Sequence, residues 1–161
     1  MRLMFMVSML LCFLVGCGGN PHPSDQTLED QLRANETQFN ELLNMFNEDS
    51  EVVRISKQFA FLESGGDPKL PQERLKKYRE LFRVLNLEAG VYREGKNTVG
   101  FIASDNKSIF SGYSSKVFIY STIELSPLVD SLDKVIKTKP GKHRPVFKKL
   151  YGHWYLAYES W

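Results

Sequence analysis

The chain has two cysteines, Cys12 and Cys17, and both lie in its first 17 residues. Every residue after Cys17 must therefore fold without a disulfide or a thiolate metal site, by packing alone. A chain of 161 residues can do so, because at about 150 residues a single core buries roughly 70% of the unfolded surface. Composition agrees: 42% hydrophobic and 25% charged residues fit one ordinary globular domain. The 21 Lys and Arg nearly balance the 19 Asp and Glu. That argues against a nucleic-acid partner, whose binders usually carry a strongly basic domain.

The first cysteine sits inside an apolar run from Leu3 to Val15, broken only by Ser8 and preceded by Arg2. The run is shorter than the ~20 residues a membrane-spanning helix needs, and it suits the apolar centre of an export signal. It ends in Leu14-Val15-Gly16-Cys17, and the polar residues Gly18-Gly19-Asn20-Pro21 follow at once. This arrangement resembles the lipobox leader of bacterial lipoproteins. The resemblance covers the leader alone. It implies that residues 1–16 are removed and that the Cys17 thiol carries a diacylglyceryl group, with the new amine often acylated as well. Two or three acyl chains, at ~0.8 kcal/mol per buried methylene, anchor a protein essentially permanently. Gly18, where an Asp favours retention at the inner membrane, implies the outer membrane, with the domain facing the periplasm.

Residues 17–26 read as a flexible tether and 27–161 as one α+β domain. Thr27 offers a helix cap, and Leu28, Leu32, Phe39, Leu42, Leu43 and Phe46 recur at helical spacing to about Asn47. Val52–Leu62 is rich in branched and aromatic residues and reads as β structure. A second helix is expected from Pro71 to Leu85, with Leu75, Tyr78, Phe82 and Leu85 inward and Arg74, Lys76, Lys77, Arg79 and Arg83 outward. Strands are expected near Gly90–Arg93, Thr98–Ser104 and Ser108–Tyr113, with Asp105-Asn106-Lys107 as a turn. Val117–Tyr120, apolar on both faces, suits a central strand. Ser126-Pro127 has the form of a cap and first residue of a short helix. Lys137–Arg144 reads as an exposed basic loop. Val146–Tyr151 and Trp154–Glu159 flank Gly152-His153 and predict a tight hairpin pairing Tyr151 with Trp154, Lys149 with Leu156 and Phe147 with Tyr158. The expected architecture is an antiparallel sheet of five or six strands, with two main helices on one face and a C-terminal hairpin.

Chemistry is sparse. His22, His143 and His153 stand apart, without metal-ligand spacing, and no nucleophile elbow, phosphate loop or dinucleotide fingerprint occurs. The sequence predicts neither an enzyme nor a cofactor. It predicts a monomeric, membrane-anchored binding domain with a protein, peptide or glycan partner. The alternative is an inhibitor or immunity-type lipoprotein that blocks an enzyme or toxin, with a small hydrolase behind it. Aromatic residues crowd the second half, and Tyr151, Trp154, Tyr155 and Tyr158 are the candidate binding surface. The same rings also suit a strand packed in the core.

Overall fold

The computed structural model describes residues 22–66, 68–108, 112–138 and 143–160. Cys17, the leader, the first part of the tether and residues 139–142 of the basic loop lie outside them. The fold is α+β, as expected. Seven strands form one antiparallel sheet: β1 (Val52–Ile55), β2 (Ala60–Leu62), β3 (Gly90–Glu94), β4 (Thr98–Ser108), β5 (Gly112–Ser121), β6 (His143–Lys149) and β7 (Trp154–Ser160). Their order is β2-β1-β3-β4-β5-β7-β6. No described helix is long and apolar enough to cross a membrane.

The predicted first helix is two helices, α1 (Asp25–Ala34) and α2 (Glu36–Glu48). They part at Asn35, whose side-chain amide donates to the Gln31 carbonyl at 2.9 Å and competes with the helical ladder. The helix also begins two residues before Thr27. Ser24 is its cap, with its hydroxyl accepting from the Thr27 N–H at 3.1 Å. Asp25 and Gln26 therefore belong to the domain and not to the tether. The second predicted helix is α3 (Gln72–Val84), and it buries Tyr78, Leu81 and Phe82. The helices cover one face of the sheet. Phe39 of α2 meets Phe101, Phe118 and Trp154 edge-on, at ring-centroid distances of 5.7, 4.9 and 5.6 Å.

The opposite face is apolar as well. Ile102, Val117, Ile119, Tyr155 and Ala157 are buried there, and Tyr92, Leu125 and Phe147 pack against them. Val117–Tyr120 is thus a central strand, as expected, with β4 on one side and β7 on the other. Gly100 is required on this face, because a Cβ there would lie 2.4 Å from the Tyr92 ring.

Four local expectations fail. Ser108–Tyr113 is not one strand: β4 ends at Ser108 and β5 begins at Gly112, and these two residues pair. Asp105-Asn106-Lys107 is no turn: β4 runs through it, pairing Asp105 with Ser115 and Lys107 with Tyr113. Ser126-Pro127 opens no helix. Instead the Pro127 carbonyl accepts from the Phe147 N–H, and Val129 N–H returns a bond to the Phe147 carbonyl, alongside β6. The short helix is α4 (Leu132–Thr138). The C-terminal hairpin exists, but one residue out of register: Lys148 faces Leu156, Phe147 faces Ala157 and Val146 faces Tyr158. Its turn closes with the Leu150 N–H on the Trp154 carbonyl at 3.0 Å, leaving three residues at the tip. With apolar residues wanted on both faces, alternation alone does not fix the register.

Candidate functional site

The aromatic surface expected at the C-terminus is core. Trp154, Tyr155 and Tyr158 are all at most 6% exposed. Tyr151 is half-buried, with the Arg33 guanidinium 4.6 Å above its ring. β7 is flanked by β5 and β6, so neither its edges nor its faces reach solvent. These four residues are not brought together as a binding surface.

The exposed aromatics lie at the other side of the sheet. Phe59 and Phe61 are 41% and 44% exposed, with ring centroids 4.9 Å apart. They stand on the β1–β2 hairpin, and β2 is the outermost strand. The hairpin is shaped by Ser56, whose hydroxyl accepts from the backbone N–H groups of Gln58 and Phe59 at 3.2 and 3.1 Å. The Arg54 guanidinium stacks 5.8 Å from the Phe59 ring. Between hairpin and α3 lies a cleft of about 330 Å³, walled by Phe59, Ala60, Pro68, Leu75 and Arg79. Arg79 belongs to a stripe with Lys76 and Arg83, one and two turns of helix apart, all exposed. Among the described residues no carboxylate pairs with these three cations, whereas Arg74 and Lys77 of the same helix are held by Asp49, Glu48 and Glu41. The exposed apolar pair thus stands at an open sheet edge, beside three cations that no described carboxylate pairs.

A second cluster is buried and satisfied. Lys116 of β5 is fully buried, and its ammonium donates to Asp25 Oδ1 (2.8 Å), Asp133 Oδ1 (2.6 Å) and the Pro23 carbonyl (3.0 Å). Asp25 Oδ2 accepts from the Leu132 N–H at 2.8 Å and from Ser131 Oγ at 3.1 Å, so it caps α4 from across the molecule. Asp133 in turn accepts from the Asp25 N–H at 3.0 Å. Burial pushes the Asp133 carboxyl up, but the bonds from Lys116 and Asp25 N–H bring it below its ordinary value. Beside them His22, 5% exposed, bonds Ser104 Oγ through Nδ1 (2.7 Å) and Ser114 Oγ through Nε2 (2.9 Å). Its ring meets Tyr158 edge-on. The segment 22–25 is thereby fastened to β4, β5 and α4, and the sequence reading, which placed it in the tether, missed this.

The arrangement makes folding acid-sensitive. Burial, then the Lys116 charge, holds His22 at about 4, against an ordinary 6.5, with Asp105 opposing. The unfolded chain binds this proton first, so the stability contribution is whole above pH 6.5 and is lost as pH falls toward 4. The loss expected is about 3 kcal/mol. Urea unfolding of wild type and His22→Asn across that window checks it. The slope should vanish in the variant, and equal slopes would refute the assignment.

Among the described residues no group of three His, Cys, Asp or Glu side chains is placed to hold a metal. Comparison with known proteins finds no matching family model and no significantly similar curated protein or solved structure.

Proposed function

We propose that this chain is a lipid-anchored, non-catalytic interaction domain of the bacterial cell envelope. It is fixed through Cys17 to the periplasmic side of the outer membrane and works as a monomer without a cofactor. The observation that carries the binding reading is the Phe59–Phe61 pair at the open sheet edge beside Lys76, Arg79 and Arg83. Its partner is a protein or peptide surface that offers carboxylates around an apolar anchor. The leader Arg2–Cys17 supports the address. A second reading is inhibition of an enzyme or toxin, and the same blunt aromatic pair favours it, since such a tip can fill a partner's cleft.

Two measurements test these statements separately. Cells fed radioactive fatty acid should label the wild type and not Cys17→Ser, and equal labelling would remove the anchor. A photo-crosslinking residue at Phe61 should give a discrete partner adduct in cells, while one at Ile123, an equally exposed apolar position, should give none. Phe59→Ser/Phe61→Ser should abolish partner binding at a stability cost of about 1 kcal/mol or less, because both rings are already half in water. Retained binding in a folded double variant would move the contact surface elsewhere.

A further inference from the structure

The strands have a charged polarity. At one end of the sheet, pairing brings Lys107 level with Tyr113, and His143 and Ser114 level with Ser160. Lys107 and Arg144 are exposed there, and α4 delivers exposed Lys137 to the same end, shortly before β6 begins at His143. The acids of this end, exposed Asp130 excepted, are engaged. Asp25 and Asp133 hold Lys116, Glu159 accepts from Ser115 Oγ, Asp105 lies against His22 and Tyr113, and Glu88 accepts the Asp105 N–H. The other end exposes Glu51, Glu63, Glu94 and Glu124, with Lys96 and Lys149 among them.

The N-terminal segment is locked at the basic end, where His22 binds Ser104 and Ser114. Four residues, 18–21, separate His22 from Cys17. Whatever path they take, they span at most roughly 18 Å from Cys17 to His22. An anchored chain therefore cannot stand its basic end far from the headgroups.

We propose that this end of the sheet lies on the membrane and binds anionic lipid headgroups through Lys107, Lys137 and Arg144, with the acidic end turned away. The inference rests on the reading that Cys17 is the lipid anchor. Tyr113, with the Lys107 ammonium 5.9 Å from its ring, is the amphipathic side chain of the contact. Each cation near an anionic surface contributes about fivefold to the contact, so the three together contribute about a hundredfold. The lock at residues 22–25 turns a lipid tether into an orientation. It leaves the β1–β2 hairpin, at the lateral edge of the sheet, open to a partner.

The test uses the mature, full-length protein in vesicles of phosphatidylethanolamine with or without phosphatidylglycerol. Spin labels are placed at Thr138→Cys, at the basic end, or at Lys96→Cys, at the acidic end. A paramagnetic nickel chelate on the lipid headgroup should relax the first label at least tenfold more than the second. The tether alone leaves a residual contrast, which phosphatidylglycerol should raise several-fold and which should fall back at high salt and in Lys107→Gln/Lys137→Gln/Arg144→Gln. Equal relaxation at the two positions, or a contrast indifferent to phosphatidylglycerol, salt and the triple variant, would overturn the proposal. Failure of the anchor reads out differently: the protein without added cysteines would take up label at Cys17, and its flotation with vesicles would not change in Cys17→Ser.

Discussion

Trp154→Ala is expected to destabilise the domain by ~3–5 kcal/mol, a large share of the ~5–15 kcal/mol that holds a domain of this kind together. The indole is 4% exposed and meets three rings, Phe39, Phe101 and Tyr120, and Phe39 in turn packs on Phe118. Those rings come from α2, β4 and β5, so the cavity would open where the helical layer meets the middle of the sheet. Collapse into it is hindered because three separate elements would have to move together. Thermal melts should show a midpoint lower by roughly 10–15 °C. Phe61→Ala is the matched control: an aromatic of similar type, on a strand, but 44% exposed. It should melt within a few degrees of wild type. Equal midpoints for wild type and Trp154→Ala would return that residue to the surface and revive the C-terminal aromatics as a contact site.

The contrast between these two aromatics shows what the sequence carries and what it does not. The helices were legible because Leu28, Leu32, Phe39, Leu42 and Phe46 repeat at a period no strand can use. The α+β class followed from them and from the branched residues of β4 and β5. Strand order was not legible. Phe59 and Phe61 read like any strand residues, and they are exposed only because β2 ends the sheet. Trp154 and Tyr155 read like a possible surface, and they are buried only because β7 is flanked on both sides and covered on both faces. Which strand is an edge is decided by contacts between residues far apart in the chain.

The same distance hides the register and the part Asp25 plays in capping α4. That helix also has a local cap in Ser131, whose hydroxyl accepts from the Lys134 N–H at 3.3 Å, and Ser126-Pro127 is the competing local signal. The slipped β6–β7 pairing has a related cause. Val146 and Phe147 are both apolar, and the sheet has a core on each face to receive them. Asp105-Asn106-Lys107 carries turn-forming residues, yet the strand continues because Ser114 and Ser115 of β5 give that stretch a polar partner. His22 and Lys116 were the least visible. His22 reads as tether, and Lys116 lies just outside the expected strand Val117–Tyr120. A lysine amid Ser114, Ser115, Val117 and Phe118 was the available signal, since a charge bordering an all-buried strand needs a partner.

Lys116→Met is the sharpest test of that partnership. The substitution keeps most of the side-chain volume and removes the charge, so Asp25 and Asp133 remain close together, buried or half-buried, without the ammonium that bridges them, and Lys137 acts only on Asp133 and more weakly. Breaking a buried ion network by deleting one member typically costs ~3–5 kcal/mol, because the charges left behind are uncompensated. The loss should be largest at neutral pH. In wild type the Asp133 carboxyl lies below its ordinary value, so its contribution is present above that value and lost as pH falls through the lowered one. In the variant the two carboxylates repel, and the carboxyl that protonates first moves above its ordinary value. Stability should then be regained as pH falls into the carboxylate range, the opposite slope to wild type. The Lys116 charge also helps to hold His22 neutral, so the His22 acid slope should weaken in the same variant. Adding Asp25→Asn and Asp133→Asn should recover much of the loss, since a network removed whole leaves no orphaned charge. Urea unfolding at pH 7 and pH 5 of the wild type, the single and the triple variant distinguishes the cases. A single variant that loses less than about 1 kcal/mol at pH 7 would mean the cluster is solvated. The N-terminal segment would then be free to leave the sheet, and the fixed orientation derived from it would go as well.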